Sequence, residues 1–361
     1  MCRKCVACVL ALILLLSSCI FTGAYAKDAA YYDDDMEEGP NEICMDVSVC
    51  WHELYHSQED VKLASDVALK GRVIKEESEL RHNVVFTNVY VYIDSVLFGD
   101  IEAGDVIKIL QTGGSVGKFS TPAPIEAPIM ELGGQYELYL KETSPDEMYG
   151  QYYLITGGFQ GMRRIFDNED EIDTLPNTES TLTDSHMDDN AVRGWTPTMG
   201  HYWDKSNLNI YMNTNIAAGY SFSVYTAICS GVDTWHTYTN APSNTYVTST
   251  TNSDIDIYML YYGNTGWDGL TSTAYSGSIN SHSVIQINAS YLYSGYSALS
   301  DLWKAIACHE FGHSLGLNHN TSVSQSIMRS QTVQYYNYNP GGTPRWSTPQ
   351  SADIYSINSI Y

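Results

Sequence analysis

The sequence predicts an α+β protein of two domains, the first β-rich and barrel-like, the second mixing strands with helices. Three observations predict it. At 361 residues the chain is longer than one ordinary hydrophobic core organises. Residues 67–155 carry runs of period-two hydrophobicity punctuated by Gly113-Gly114, Gly133-Gly134 and Gly157-Gly158, the pattern of a small rolled or closed sheet. An acid-rich stretch then separates these runs from a region where helical and strand periodicities alternate. Hydrophobic content of 43% with only 17% charged residues fits packed cores and not a disordered chain. The formal charge of −24 repels phosphate backbones and anionic lipid surfaces, which excludes nucleic acid as a default partner.

Residues 1–26 have the layout of a secretory signal: Arg3 and Lys4, an apolar run from Val6 to Phe21, and small residues ending at Ala24-Tyr25-Ala26. The run is short for a membrane span. The polar exit Thr22 to Ala26 favours cleavage after Ala26, which makes the protein secreted and extracellular. Leu16-Ser17-Ser18-Cys19 also resembles a lipobox; under that alternative Cys19 carries a lipid anchor and the protein is a cell-surface lipoprotein. Four cysteines remain beyond residue 19: Cys44, Cys50, Cys229 and Cys308. In an oxidising compartment their simplest pairing is Cys44–Cys50 and Cys229–Cys308, with buried thiols at 229 and 308 as the alternative.

Residues 27–43 form an acidic leader with little to bury, and the β-rich domain is placed at 44–166. A short helical pattern spans about Val49 to Leu63. Strand-like runs follow at Val67–Ile74, Val84–Phe98, Val106–Gln111, Tyr136–Leu140 and Tyr152–Ile155. In the second of these, Val85, Thr87, Val89, Val91 and Ile93 share one face and Phe86, Tyr90 and Tyr92 the other. Strand count and glycine spacing are similar to small barrels of the oligonucleotide/oligosaccharide-binding type. Nine acids and no lysine or arginine between Asp167 and Asp189 make 167–194 an extended linker. The second domain, 195–361, has only eight acids and four bases, so most of the negative charge lies upstream. Its predicted elements are a strand at Leu208–Met212, a helix at Ser221–Tyr238, strands at Ile255–Tyr262 and Ser283–Asn288, and a helix opening near Asp301.

The run His309-Glu310-Phe311-Gly312-His313-Ser314-Leu315-Gly316-Leu317-Asn318-His319 carries chemistry. Helical residues four apart are separated by roughly 400° of rotation and about 6 Å of rise, so His309 and His313 project from one face and can share an ion. A continuing helix would send His319 about 240° round the axis from His313, away from that ion. Gly316 can adopt the left-handed conformation that ends a helix and brings His319 back. Three neutral imidazoles suit Zn²⁺ and leave its fourth position for water, as catalytic sites do. Glu310, roughly 100° round from His309, can reach that water without joining the ligand set, the position of a general base. Phe311 and Leu315, with Trp303, Ile306 and Ala307, are assigned to core packing.

The eleven-residue pattern resembles that of the metzincin zinc peptidases, and the Gly312 and Leu315-Gly316-Leu317 context is most similar to the matrixins. Ser326-Ile327-Met328 looks like the methionine turn of that group, although Ser330 stands where matrixins usually have proline. Asn320 after the last histidine differs from the Glu of astacins and the Asp of reprolysins. The resemblance, over about Trp195 to Met328, implies a metzincin-like domain: a twisted mixed sheet with the active-site helix behind a cleft. It implies one catalytic zinc, and substrate held as an extra strand along an edge strand, here Leu270, Thr271, Ser272, Thr273, Ala274 and Tyr275. Some matrixins hold calcium. Asp254, Asp256 and Asp268 are weak candidates for it, and ordinary surface aspartates explain them better.

A second short match, His52-Glu53-Leu54-Tyr55-His56, has no glycine turn or third histidine after it and reads as a surface helix. His201, His236 and His282 have no partner spacing. Cys308 precedes His309 by one position and faces about 100° away from the metal. No cysteine-switch sequence of the matrixin type surrounds Cys44 or Cys50. The combined expectation is an exported zinc endopeptidase acting on protein or peptide substrates, with an N-terminal β domain that binds substrate, the cell surface or the cleft itself. The alternative is a surface-anchored binding protein in which the β domain recognises a partner and the zinc site is auxiliary.

Overall fold

The computed structural model describes residues 44–55, 57–145, 149–166, 195–213, 222–294, 300–335 and 346–361. The signal, leader and linker read from the sequence, with Cys19 and His56, lie outside the described residues. The strands are β1 (Cys44–Trp51), β2 (Val67–Arg81), β3 (Val84–Phe98), β4 (Val106–Thr112), β5 (Gly114–Val116), β6 (Phe119–Thr121), β7 (Gln135–Glu142), β8 (Tyr153–Ile155), β9 (Met162–Ile165), β10 (Asn207–Met212), β11 (Ser243–Val247), β12 (Ile255–Leu260), β13 (Trp267–Ser276) and β14 (Ile279–Asn288). The helices are α1 (Gln58–Ala64), α2 (Phe222–Tyr238), α3 (Ser300–Ser314), α4 (Thr332–Tyr335) and α5 (Ser351–Ile360).

β2, β3, β4, β8 and β7 close into a five-stranded barrel, because β7 pairs back onto β2, and β9 adds along β7. His82 and Asn83, with φ of 45° and 69°, make the two-residue turn between β2 and β3; positive φ at both positions matches the twist of the flanking strands. The alternation in β3 is used on both sides. Val89, Val91 and Ile93 fill the barrel with Leu69, Ile109 and Leu138, whereas Val84 and Phe86 enter a different core.

The second sheet has the order β1-β13-β14-β12-β10-β11. β10, β11, β12 and β14 run parallel, β13 is antiparallel to β14, and β1 is antiparallel to β13. Its core joins Ile210, Ile257 and Ile287 to Trp235 of α2 and to Ile306 and Phe311 of α3. The helix expected over Val49–Leu63 is instead strand β1 and the short helix α1, with Ser57 capping α1 by accepting from the Asp60 amide. Val47, Val49 and Trp51 alternate with Ser48 and Cys50, and the open edge of β13 satisfies the backbone that a helix would otherwise have satisfied itself.

Both sheets lie in one unit, Asn41–Tyr361, and a third core joins them. Val49 and Trp51 of β1, Phe86 and Leu110 of the barrel, and Tyr262 and Trp267 of the second sheet are buried together. At the tip of the β2–β3 hairpin, Arg81 is buried, donates to the Tyr262 carbonyl at 3.2 Å and lies 3.8 Å from the Tyr149 ring centre. Trp267 Nε1 donates to the Thr112 hydroxyl at 3.2 Å.

None of the four cysteines is disulfide-bonded, against the pairing read from the sequence. Cys44 and Cys50 stand at opposite ends of β1, about 20 Å apart at about 3.3 Å per residue, far beyond disulfide reach. Cys229 Sγ lies 3.9 Å from Met212 Sδ, while Cys308 Sγ lies 3.4 Å from the Thr234 hydroxyl. Thr234 is five residues beyond Cys229 on α2, about 140° round the helix, so the two thiols face different neighbours.

Candidate metal centre

α3 ends where the sequence requires. Gly316 takes φ of 99°, its amide donates to the His313 carbonyl at 2.9 Å, and Leu317 N donates to the Gly312 carbonyl at 3.0 Å. A side chain at Gly316 would run into the His201 carbonyl, so only glycine fits both the turn and the close approach. The reversal brings His319 beside the helix. His313 Nε2 lies 3.0 Å from His309 Nε2 and 3.2 Å from His319 Nε2.

The other ring nitrogens decide what this cluster can hold. His309 Nδ1 donates to the Ile327 carbonyl at 2.7 Å and His313 Nδ1 to the Leu317 carbonyl at 2.8 Å. With the proton on Nδ1, each Nε2 presents a lone pair to the same point. Burial disfavours the charged rings: it pulls His313 down to about 4 and, with the neighbouring imidazoles, holds His309 and His319 well below their ordinary range. Converging neutral lone pairs repel unless a cation lies between them. Two nitrogens about 2.05 Å from a tetrahedral ion would be about 3.3 Å apart, close to the separations seen here. The donor set therefore fits a zinc-type cation.

Met328 lies under this cluster. A Cβ placed on Gly312 would be 2.5 Å from Met328 Sδ and 2.7 Å from Trp235, so glycine lets the sulfur sit against the helix. The turn is held by Asp353 of α5, which sequence reasoning missed. Asp353 is buried and accepts from Ser326 Oγ at 2.6 Å, Ile327 N at 2.9 Å and Thr196 Oγ1 at 2.6 Å. Since the Ile327 carbonyl orients His309, Asp353 positions a histidine it never touches. Its only local signal was the capping pair Gln350 and Asp353.

Glu310 is buried on the side of α3 facing β13. Thr271 Oγ1 donates to its Oε2 at 2.6 Å, and Oε1 has no hydrogen-bond partner among the described residues. Burial raises its pKa to about 8, against the lowering effect of the Thr271 bond and with a smaller push from Asp268. A side chain on Gly269 would collide with this carboxylate, so glycine in β13 makes the space it occupies. Neither Thr271 nor Gly269 had a sequence signal for this role beyond lying in or next to the expected edge strand. Leu270 to Tyr275 indeed lie in β13, which pairs with β14 on one side and β1 on the other.

The remaining candidates fall elsewhere. Asp254, Asp256 and Asp268 are buried and not surface residues. Asp254 binds Lys205 and the Asn209 amide, Asp256 binds the Ser253 hydroxyl, and Asp268 pairs with His52 at 2.9 Å. Among the described residues these three do not converge as a ligand set. His52 is stacked on Tyr291 with ring centres 4.3 Å apart. Cys50, read as a disulfide partner, is buried with its Sγ within 4.8 Å of ligand atoms of His309 and Glu310.

No curated protein matches the chain. Residues 202–361 match the matrixin family model, Peptidase_M10. That region contains the three histidines, Glu310, the turn at Met328 and the parallel sheet with its antiparallel edge. Over residues 202–361 this chain is a matrixin-like metzincin, a member of a metallopeptidase family.

Proposed function

We propose that the protein is an exported zinc-dependent endopeptidase, with His309, His313 and His319 as zinc ligands and Glu310 as general base. The carrying observation is the convergence of three Nε2 atoms whose Nδ1 partners are already satisfied, beside a buried carboxylate with one unpaired oxygen. Zinc bound there would supply an acidified water and polarise a peptide carbonyl. Thr271 holds Glu310 Oε2 and leaves Oε1 to accept the proton of the attacking water and hand it to the departing amine. The Ile327 and Leu317 carbonyls keep His309 and His313 in the tautomer that binds metal. Export rests on the signal-like layout of residues 1–26, with Cys19 lipidation as the surface-anchored variant of the same reading.

Metal analysis and casein cleavage test this together. One zinc per chain, chelator-sensitive cleavage, and loss of cleavage in Glu310→Ala with the zinc retained are expected. Zinc-loaded protein with no turnover, even after β1 is dislodged by Val49→Asp, would favour the binding-protein alternative.

A further inference from the structure

β1 lies along β13 for its whole length, with Cys44 opposite Tyr275 and Cys50 opposite Gly269. On its other side Trp51 N donates to the Ser330 carbonyl at 3.1 Å, just beyond Met328, and Trp51 bridges Gln331. The strand therefore fills the groove between β13 and the segment after the methionine turn, the space an extended peptide would need in order to reach Glu310. Its side chains alternate in purpose. Cys50 points toward the metal-binding cluster, 3.1 Å from the Thr332 hydroxyl, while Val49 and Trp51 point into the core shared with the barrel. Two histidine–carboxylate pairs fasten its ends: Asp46 to His201 at 3.0 Å and His52 to Asp268 at 2.9 Å.

We propose that β1 and the barrel behind it form a built-in inhibitory module, which holds the peptide-binding edge of β13 and stays bound after the chain is cut between barrel and catalytic domain. The functional consequence rests on the peptidase reading; the occupancy of the edge does not. A strand tethered only through its linker would leave once cut, because a tether contributes nothing but effective concentration, on the order of millimolar. Here Trp51, Phe86, Tyr152 and Trp267 are buried in one core spanning both halves, and large aromatics bury about 150–250 Å² each. Removing the barrel would expose that core, so cutting the linker and releasing the strand are separate events.

The test inserts a site-specific protease sequence within residues 167–194 of the full, zinc-loaded chain and cuts it. Co-elution of the two fragments, continued hydrogen-exchange protection of the β13 amides, and casein cleavage within about twofold of the uncut chain are expected. The double variant Val49→Asp, Trp51→Ala should exchange its β13 amides at least tenfold faster and cleave casein at least tenfold faster. A synthetic peptide of residues 44–54 added to it should restore protection and inhibition, whereas a scrambled peptide should not. Separation of the fragments on cutting, or unprotected β13 amides in the intact chain, would overturn the proposal. So would an intact chain that cleaves as fast as the double variant while β1 stays protected, although the peptidase reading would then stand. If the peptide restores protection but no form of the protein ever cleaves casein, the module is supported and the peptidase reading fails.

Discussion

His52-Glu53-x-x-His56 and His309-Glu310-x-x-His313 share one spacing and have unlike fates. The second lies on α3, is buried, and is followed by a glycine turn that delivers a third ring. In the first, the chain has just left a strand; His52 Nδ1 faces Asp268, and Glu53 is bound by Lys141 and by the Tyr55 hydroxyl at 2.5 Å. Spacing alone does not make a metal site. A rigid helix must put the rings on one face, and each Nδ1 needs a carbonyl acceptor so that Nε2 is free for a cation.

The sharpest test of that contrast is to exchange the acids. Glu310→Gln should lower kcat/KM for casein by about 10²–10⁴ while one zinc per chain is kept, since it removes proton transfer and spares the ligands. Glu53→Gln should leave both unchanged. His313→Ala should abolish stoichiometric zinc, read by metal analysis, where His52→Ala retains it.

Next in size is Gly316→Ala. At φ of 99° and against the His201 carbonyl, the methyl group should cost about 1–3 kcal/mol in thermal unfolding and weaken zinc retention, because the turn positions His319. Unchanged zinc affinity would mean that His319 reaches the site without this turn.

Cys50→Ala should raise casein cleavage by less than Val49→Asp with Trp51→Ala does, because the ladder to β13 and the shared core survive loss of the thiol. A larger effect from Cys50→Ala would shift the inhibitory role from the strand to the sulfur.

The smallest effect concerns the His52 pair. Burial works against a charged ring, but Asp268, with help from Glu53, outweighs it and raises the His52 pKa above its ordinary 6.5. A raised folded-state value stabilises the fold below the unfolded pKa, and that stabilisation is lost as pH rises through the folded pKa. Hydrogen exchange at β1 should therefore be slower at pH 6 than at pH 8.5, by a few-fold, and His52→Gln should flatten the difference.

Legibility followed distance along the chain. The α+β class, the barrel strands, α3 and the convergence at Gly316 could all be read, because period-two and four-residue spacings are local geometry. The position of β1 could not. Val49 to Trp51 satisfies a short helical pattern as well as a strand, and only the unpaired edge of β13, more than two hundred residues away, selects the strand. Asp353 was silent for the same reason: an acid in the first turn of a helix looks like a cap until Ser326, Ile327 and Thr196 are folded around it. Asp254, Asp256 and Asp268 were taken for surface residues because their partners lie on other strands or loops.

By itself, the sequence determined the metal-binding chemistry: three imidazoles, a carboxylate and a glycine within eleven residues need only a helix and one turn to meet. The tertiary structure alone decided what stands in front of that site. Strand pairing and a shared hydrophobic core are choices among distant surfaces, and no local spacing records which edge a strand will find.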